Sequence, residues 1–222
     1  MYEAFNINIW FSPRYAINYL WSQVYRNGQR VLASNKFKKE REAWIMGVAL
    51  FGVMKIFKTR WWLQIPLTDP PDMLAMTIAT NKEMNINEMH HREIEIMQIT
   101  KYTKNEIDEE ILRKLKNKAY IKETGLVVYL NRTTLIQDMR SLSTKIKEEK
   151  INIADIWILG LESKNSEDYV FFSLLPDVQV IRFNLKEEMD NLGPGDTIEM
   201  SRSKGTKMEL VKNVALTKFI PK

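Results

Sequence analysis

A continuous apolar run at residues 126–130, together with a further predicted buried strand at residues 153–161, most constrains how this chain can fold. Such runs, without alternating polar residues, are typical of strands buried on both faces of a sheet. Residues 134–147 lie between them and repeat apolar side chains at helical spacing, from Leu135 to Ile146. A helix between two buried strands indicates a sheet covered by helices, which is the α/β class.

The segment before these runs has a different period and predicts strands at residues 61–65, 72–80 and 93–100. The polar stretch 81–87 between the last two is typical of a hairpin loop. Consecutive strands joined by turns pair antiparallel, whereas strands joined by helices pair parallel. The sequence therefore predicts an α/β fold with a mixed central sheet flanked by helices, an N-terminal helical segment and a C-terminal extension.

Helices are predicted at three further places. Ser12-Pro13 has the capping hydroxyl and first-turn proline of a helix start, and a second helix follows near Ser34. Residues 103–106, Thr-Lys-Asn-Glu, have the pattern of a capping box before a third helix. These patterns divide the chain into a basic, aromatic-rich helical segment at 1–60, an α/β core at 61–185, and a tail or small β extension at 186–222.

Composition excludes some kinds of chemistry. The 222 residues include no cysteine, which excludes disulfides and thiolate catalysis. The longest uncharged apolar run, residues 43–54, is shorter than the roughly 20 residues that a membrane-spanning helix needs. No secretory signal pattern is visible. We therefore expect no membrane span and a cytoplasmic protein, or one of the virion or host cytoplasm if the chain is viral.

Charge is distributed unevenly along the chain. Residues 1–60 carry ten lysines and arginines against three acids, although the net charge of the whole chain is only +5. Five of the six tryptophans lie at or before Trp62. Basic side chains interleaved with aromatic ones suit phosphate contact and base stacking, while the alternative is a helical core with a solvated basic face. The candidate nucleic-acid-binding residues are Arg30, Lys36, Lys38, Lys39, Arg41 and Arg60.

Carboxylates recur where two predicted strands meet. Asp72 follows Pro71 at the start of one strand, and Glu93 and Glu95 alternate along the next. Same-face residues on a strand lie about 6.8 Å apart and neighbouring strands about 4.8 Å apart, so the three carboxylates can converge on one hard cation. The structural alternative is that Asp72 serves a turn and the glutamates line a solvated strand face.

This order of elements, with Pro71-Asp72 on the second strand and 94–97, Ile-Glu-Ile-Met, on the third, resembles the PD-(D/E)xK nuclease superfamily. The resemblance implies an αβββαβ core and magnesium-dependent cleavage of DNA or RNA. It also implies that Asp72 is the motif aspartate, and that Glu40 or Glu42 is an additional helical carboxylate.

The third strand fits the motif in two registers. In one, Glu95 is the acid and Met97 stands at the lysine position, which predicts an inactive site or a relocated lysine such as Lys101. In the other, Glu93 is the acid and Glu95 replaces the lysine. The expected catalytic residues are Asp72, Glu95, Glu93 and Lys101, with Asp72, Glu95 and Glu93 binding Mg²⁺ or Mn²⁺.

The resemblance implies a metal-dependent endonuclease acting on DNA more than RNA, of mobile-element or viral type. The alternative is a non-catalytic interaction or assembly protein, or a degenerate relative that binds nucleic acid. A protein partner or a homodimer is compatible with either function.

Overall fold

The computed structural model describes residues 9–66, 70–81, 86–117, 120–121, 123–132, 138–163, 166–192, 197–202 and 208–214. Within these ranges the central feature is a seven-stranded sheet, ordered β2-β3-β4-β5-β6-β7-β8. Its strands are β2 (Trp61–Gln64), β3 (Met73–Asn81), β4 (Ile86–Thr100), β5 (Thr124–Asn131), β6 (Asp155–Leu161), β7 (Asp168–Leu175) and β8 (Gln179–Asn184). A short strand, β1 (Ile9–Trp10), precedes them.

The sheet is mixed, as the sequence predicts. Strands β2, β3 and β4 pair antiparallel, β4, β5 and β6 pair parallel, and β6, β7 and β8 return to antiparallel pairing. The parallel pairs are joined through helices and the antiparallel pairs through shorter connections, which is the usual relation between pairing and connection length. The predicted α/β class with a mixed sheet flanked by helices is confirmed.

Two helical layers cover the sheet. The helices are α1 (Pro13–Asn27), α2 (Lys38–Phe57), α3 (Ile107–Lys116), α4 (Met139–Glu148) and α5 (Leu185–Asn191). Apolar residues of α1 and α2 share one buried cluster with Ile94 and Val127, whereas those of α3 and α4 share another with Leu126 and Val128. Because neighbouring strand residues point to opposite faces, the continuous apolar run of β5 serves both clusters.

The predicted start of α1 is observed. The Ser12 hydroxyl accepts a hydrogen bond from the amide of Tyr15 at 3.2 Å, and Pro13 occupies the first turn. Gly28 ends the helix at a φ of 74°, a conformation that glycine adopts without steric cost.

β4 is longer than predicted and begins at Ile86 rather than at residue 93. Its polar first half pairs with β3 from Asn81↔Ile86 to Met73↔Ile94, so His90 and His91 lie within the strand. Backbone pairing does not require apolar side chains, and the hydrophobic pattern therefore missed this half. Part of the predicted loop, residues 82–85, lies outside the described residues.

The capping box predicted at residues 103–106 is wrong. The Thr103 hydroxyl accepts a hydrogen bond from the amide of Thr100 at 3.1 Å, and α3 begins only at Ile107. The residue that precedes α3, Glu106, makes no side-chain capping hydrogen bond. Thr103 thus stabilises the turn that leaves β4 and not the helix. The first part of the predicted helix at 134–147, residues 134–137, lies outside the described residues.

A smaller, three-stranded sheet adjoins the edge of the large one, where Phe11 and Leu63 exchange two backbone hydrogen bonds. β1 pairs antiparallel with β9 (Thr197–Arg202), which pairs antiparallel with β10 (Met208–Val214). Across the part of the chain that the structure describes, no helix is both long and apolar enough to cross a membrane.

Candidate active site

Asp72 and Glu95 lie beside each other where β3 begins. Met73 pairs with Ile94, so residue 72 lies opposite residue 95 in the same antiparallel register. The Oδ2 atom of Asp72 accepts a hydrogen bond from the amide of Ile96 at 2.8 Å. Only 7% of Asp72 and 6% of Glu95 is exposed. Two of the predicted catalytic carboxylates, Asp72 and Glu95, therefore lie opposite each other on neighbouring chain segments, and both are buried.

Glu42 brings a third carboxylate from α2, and two lysines link it to Asp72. The Lys38 and Lys39 ammonium groups each lie 3.2 Å from a Glu42 oxygen, and 3.9 and 3.7 Å respectively from Asp72 Oδ1. Lys39 also donates to the Asp72 carbonyl oxygen at 3.3 Å. Burial raises the pKa of Glu42, the nearby Asp72 charge raises it further, and the two lysines oppose the shift. The acids are thus close enough to repel each other.

A third lysine reaches the site from α3. Lys114 Nζ donates to Glu95 Oε2 at 3.3 Å, with the lysine side chain 33% and the glutamate side chain 8% exposed. Met97, at the motif's lysine position, instead packs against the core beneath α3 and α4. The cation that pairs with Glu95 therefore comes from α3 and not from β4.

Tyr120 is buried next to Lys114. Its hydroxyl donates to the Lys114 carbonyl oxygen at 3.3 Å. Burial raises the pKa of Tyr120 to about 12, and the negative charges of Glu95 and Asp72 raise it as well. The phenol stays protonated at neutral pH and can donate a hydrogen bond.

The site combines oxygen donors with fixed positive charges. Glu42, Asp72 and Glu95 are its oxygen donors, and Lys38, Lys39 and Lys114 are their cationic partners. Among the described residues, no group of three or more histidine, aspartate or glutamate side chains is arranged to hold a metal ion. The arrangement can bind a phosphate through its lysines, and it can offer two adjacent carboxylates to a hard cation.

Of the other predicted catalytic residues, Glu93 lies on the same strand as Glu95, and Lys101 lies beyond the end of that strand. Glu93 is half-buried two residues before Glu95, and its amide donates to the Glu123 carbonyl oxygen at 3.3 Å. Lys101 is exposed beyond the end of β4, with its ammonium 5.0 Å from the centre of the Tyr102 ring. Glu40 is buried on α2. Of the two helical glutamates considered, Glu42 is therefore the one whose charge acts on Asp72.

The predicted nucleic-acid-binding residues fall into two groups. Lys38 and Lys39 belong to the carboxylate site. The remaining four contact their own segment: Arg41 donates to the carbonyl oxygens of Val31 and Ser34, Arg30 to Asn27, Lys36 lies over Phe37 and Arg60 over Trp62.

Sequence reasoning missed Lys114 and Tyr120. A usable signal existed for Lys114, because it follows Ile107 by seven residues and Ile111 by three on α3. Residues at those spacings share a side of a helix, and both isoleucines are buried against the sheet. A lysine on the sheet-facing side of an amphipathic helix indicates a buried acidic partner.

Comparisons with protein-family models, with curated proteins and with solved structures returned no match.

Proposed function

We propose that this chain is a metal-dependent nuclease that hydrolyses phosphodiester bonds of DNA, with RNA as the alternative substrate. The observation that supports this most is the pair of buried carboxylates, Asp72 and Glu95, on adjacent strands with Lys114 at 3.3 Å from Glu95. The elements also follow one another in the αβββαβ order that the resemblance to PD-(D/E)xK nucleases implies, as α2, β2, β3, β4, α3 and β5.

Two carboxylates, Asp72 and Glu95, are the oxygen donors that this proposal assigns to a magnesium or manganese ion, with water as the remaining ligands. One oxygen of Asp72 is held by the Ile96 amide, and the other faces the lysines that a bound ion would replace. Asp72 and Glu95 would hold the ion, with Glu42 close enough to complete its coordination through water, since magnesium is usually bound by one or two carboxylates and several waters. The ion would polarise the phosphoryl oxygen and acidify a water bound to it.

The chain's own cations would act on the substrate. Lys114 is one-third exposed and lies beside Glu95, so its ammonium can orient the attacking water and offset negative charge in the transition state. Lys38 is about half exposed and can turn from Glu42 to a substrate phosphate. The hydrogen bond from Ile96 fixes the Asp72 carboxylate, which limits the reorganisation needed during the reaction.

Nicking of supercoiled plasmid in the presence of Mg²⁺ or Mn²⁺ tests this proposal. Asp72→Asn and Glu95→Gln preserve shape and remove charge, and each is expected to abolish nicking while circular dichroism stays unchanged. Glu93→Gln, on the same strand, separates the two motif registers: retained activity would assign the acid to Glu95, and loss of activity would assign it to Glu93. Nicking that survives both Asp72→Asn and Glu95→Gln would exclude this site as its source.

A second candidate function is nucleic-acid binding without cleavage. The observation that favours it is the ion-pair network in which Lys38, Lys39 and Lys114 neutralise all three acids without a metal. Calorimetry with Mn²⁺ separates the two functions. A saturable heat that disappears in Asp72→Asn supports the nuclease, and the absence of any heat together with retained oligonucleotide binding supports the second function.

A further inference from the structure

A groove of about 590 Å³ lies next to the candidate active site. It is bounded by the end of β4, the loop that joins β4 to α3, and the side of α3 that carries Glu110 and Lys114. Both Met97 and Lys114 line it, so the groove begins at the cation that pairs with Glu95. A strand lying in the groove would therefore reach Lys114, the partner of Glu95.

The lining of the groove combines positive charge with an aromatic ring. Lys104, Arg113 and Lys114 contribute three cations, and Tyr102 contributes a phenol ring whose residue is 79% exposed. The acid that lines the groove, Glu110, is already matched by hydrogen bonds from Asn105 and Arg113. Three cations and one acid give the lining a formal charge of +2. Arg113 is paired with Glu110 but keeps 61% of its side chain exposed, and Lys114 is paired with Glu95.

The exposed ring stands on a loop that is held in place. Arg132 donates two hydrogen bonds to this loop, to the carbonyl oxygens of Thr103 at 2.7 Å and of Asn105 at 3.1 Å. The Tyr102 amide donates to the Thr100 hydroxyl at 3.3 Å, and the Lys101 ammonium lies 5.0 Å from the ring centre. An aromatic side chain has few rotatable bonds, so on a backbone that is already held it loses little entropy when another ring stacks on it.

Cations that follow a groove and an exposed aromatic ring are the combination that binds single-stranded nucleic acid. A duplex presents its bases edge-on within the grooves, so an aromatic ring stacks well only on an unpaired base.

We propose that this groove binds unpaired nucleotides of the strand that is cut, with one base stacked on Tyr102 and the backbone phosphates on Lys104 and Arg113. This inference rests on the proposed nuclease function, since it assigns the substrate of that site as a strand that is single-stranded beside the scissile phosphate.

Fluorescence anisotropy with a labelled twelve-nucleotide oligo-dT tests the inference on the full chain. Measurement in EDTA keeps the strand intact and makes the result independent of cleavage. Tyr102→Ala is expected to weaken binding by about 10-fold, within the range found on removing one base-stacking aromatic, and Tyr102→Phe should bind nearly as well as the wild type. Lys104→Ala should lower the slope of log K against log salt by about 0.7, the loss of one phosphate contact.

Tyr25→Ala is the matched control, because Tyr25 is 92% exposed on α1 within the basic N-terminal segment. It should leave the affinity unchanged. Three results would each overturn the inference. The first is equal affinity of the wild type and Tyr102→Ala for oligo-dT. The others are tighter binding of a twelve-base-pair duplex with an affinity that Tyr102→Ala does not change, and binding of poly-glutamate as strong as that of oligo-dT. Plasmid nicking decides the nuclease function separately. If the chain binds oligo-dT through Tyr102 but cleaves no substrate, the groove is a binding site for unpaired nucleotides and the proposed nuclease function is wrong.

Discussion

Replacement of Lys114 by alanine is the sharpest test of the candidate site. Lys114 is the cation within 3.3 Å of Glu95, and it arrives from α3 rather than from the strand position that Met97 occupies. If its ammonium has the role of the motif lysine, its loss should remove most activity. Removal of one electrostatic stabiliser from an active site typically lowers kcat by about 100- to 1,000-fold.

The cost to stability should be much smaller than the cost to activity. The lysine side chain is 33% exposed and the glutamate side chain 8%, so the pair lies between an exposed ion pair and a buried one. Exposed pairs contribute about 0.2–1 kcal/mol and loss of one partner of a buried pair costs about 3–5 kcal/mol, which places Lys114→Ala near 1–2 kcal/mol. For a domain of this size the shift in Tm would be about 2–8 °C.

Nicking rates and thermal denaturation, measured on the same preparations, check both numbers. Lys101→Ala is the control, because Lys101 is the relocated lysine that the sequence suggested and lies beside Tyr102 instead. Nicking by Lys114→Ala at more than one-tenth of the wild-type rate, or an equal loss in Lys101→Ala, would refute the assignment of Lys114.

Three further predictions concern the scaffold. Gly52→Ala should destabilise the protein by about 1–2 kcal/mol in urea unfolding, because overpacking costs more than the helix gains: the new Cβ would lie 2.3–2.8 Å from ring atoms of Phe171. Gly160→Ala, whose Cβ would meet nothing closer than 3.7 Å, should change stability little. Burial raises the pKa of Glu40, so the folded state holds its proton longer than the unfolded one and loses stability as the pH rises above about 4.5. Glu40→Gln should therefore be the more stable protein at pH 7, a difference that disappears at pH 4 in thermal denaturation. Arg132→Ala should make the β4–α3 loop several-fold more sensitive to trypsin, and unchanged cleavage would show that the two hydrogen bonds do not hold it.

The α/β class was predictable because strands that are buried on both faces have continuous apolar sequences. The run at residues 126–130 is apolar on both strand faces, and the structure places its side chains in two separate clusters. The proximity of Asp72 and Glu95 was also predictable, since a hairpin order and strand alternation bring such positions together.

The remainder depended on contacts that no local pattern records. The first half of β4 is held by backbone pairing and has a polar sequence, so its strand character was not visible. Thr103 is a residue type that often caps helices, but its hydroxyl accepts a hydrogen bond from the amide of Thr100, the last residue of β4, and so does not cap α3. Lys38 and Lys39 contribute to a regional basic charge in the sequence, whereas in the fold they neutralise Glu42 and Asp72.

The equal numbers of carboxylates and lysines in the site have a consequence for the order of binding. Three acids and three lysines leave the pocket formally neutral, so the fold needs no ion to hold these acids together. Arrival of a divalent ion would change this balance to +2 and release Lys38 and Lys39 toward an incoming polyanion. Ion and nucleic acid should then each tighten the other's binding by the same factor, as thermodynamic linkage requires.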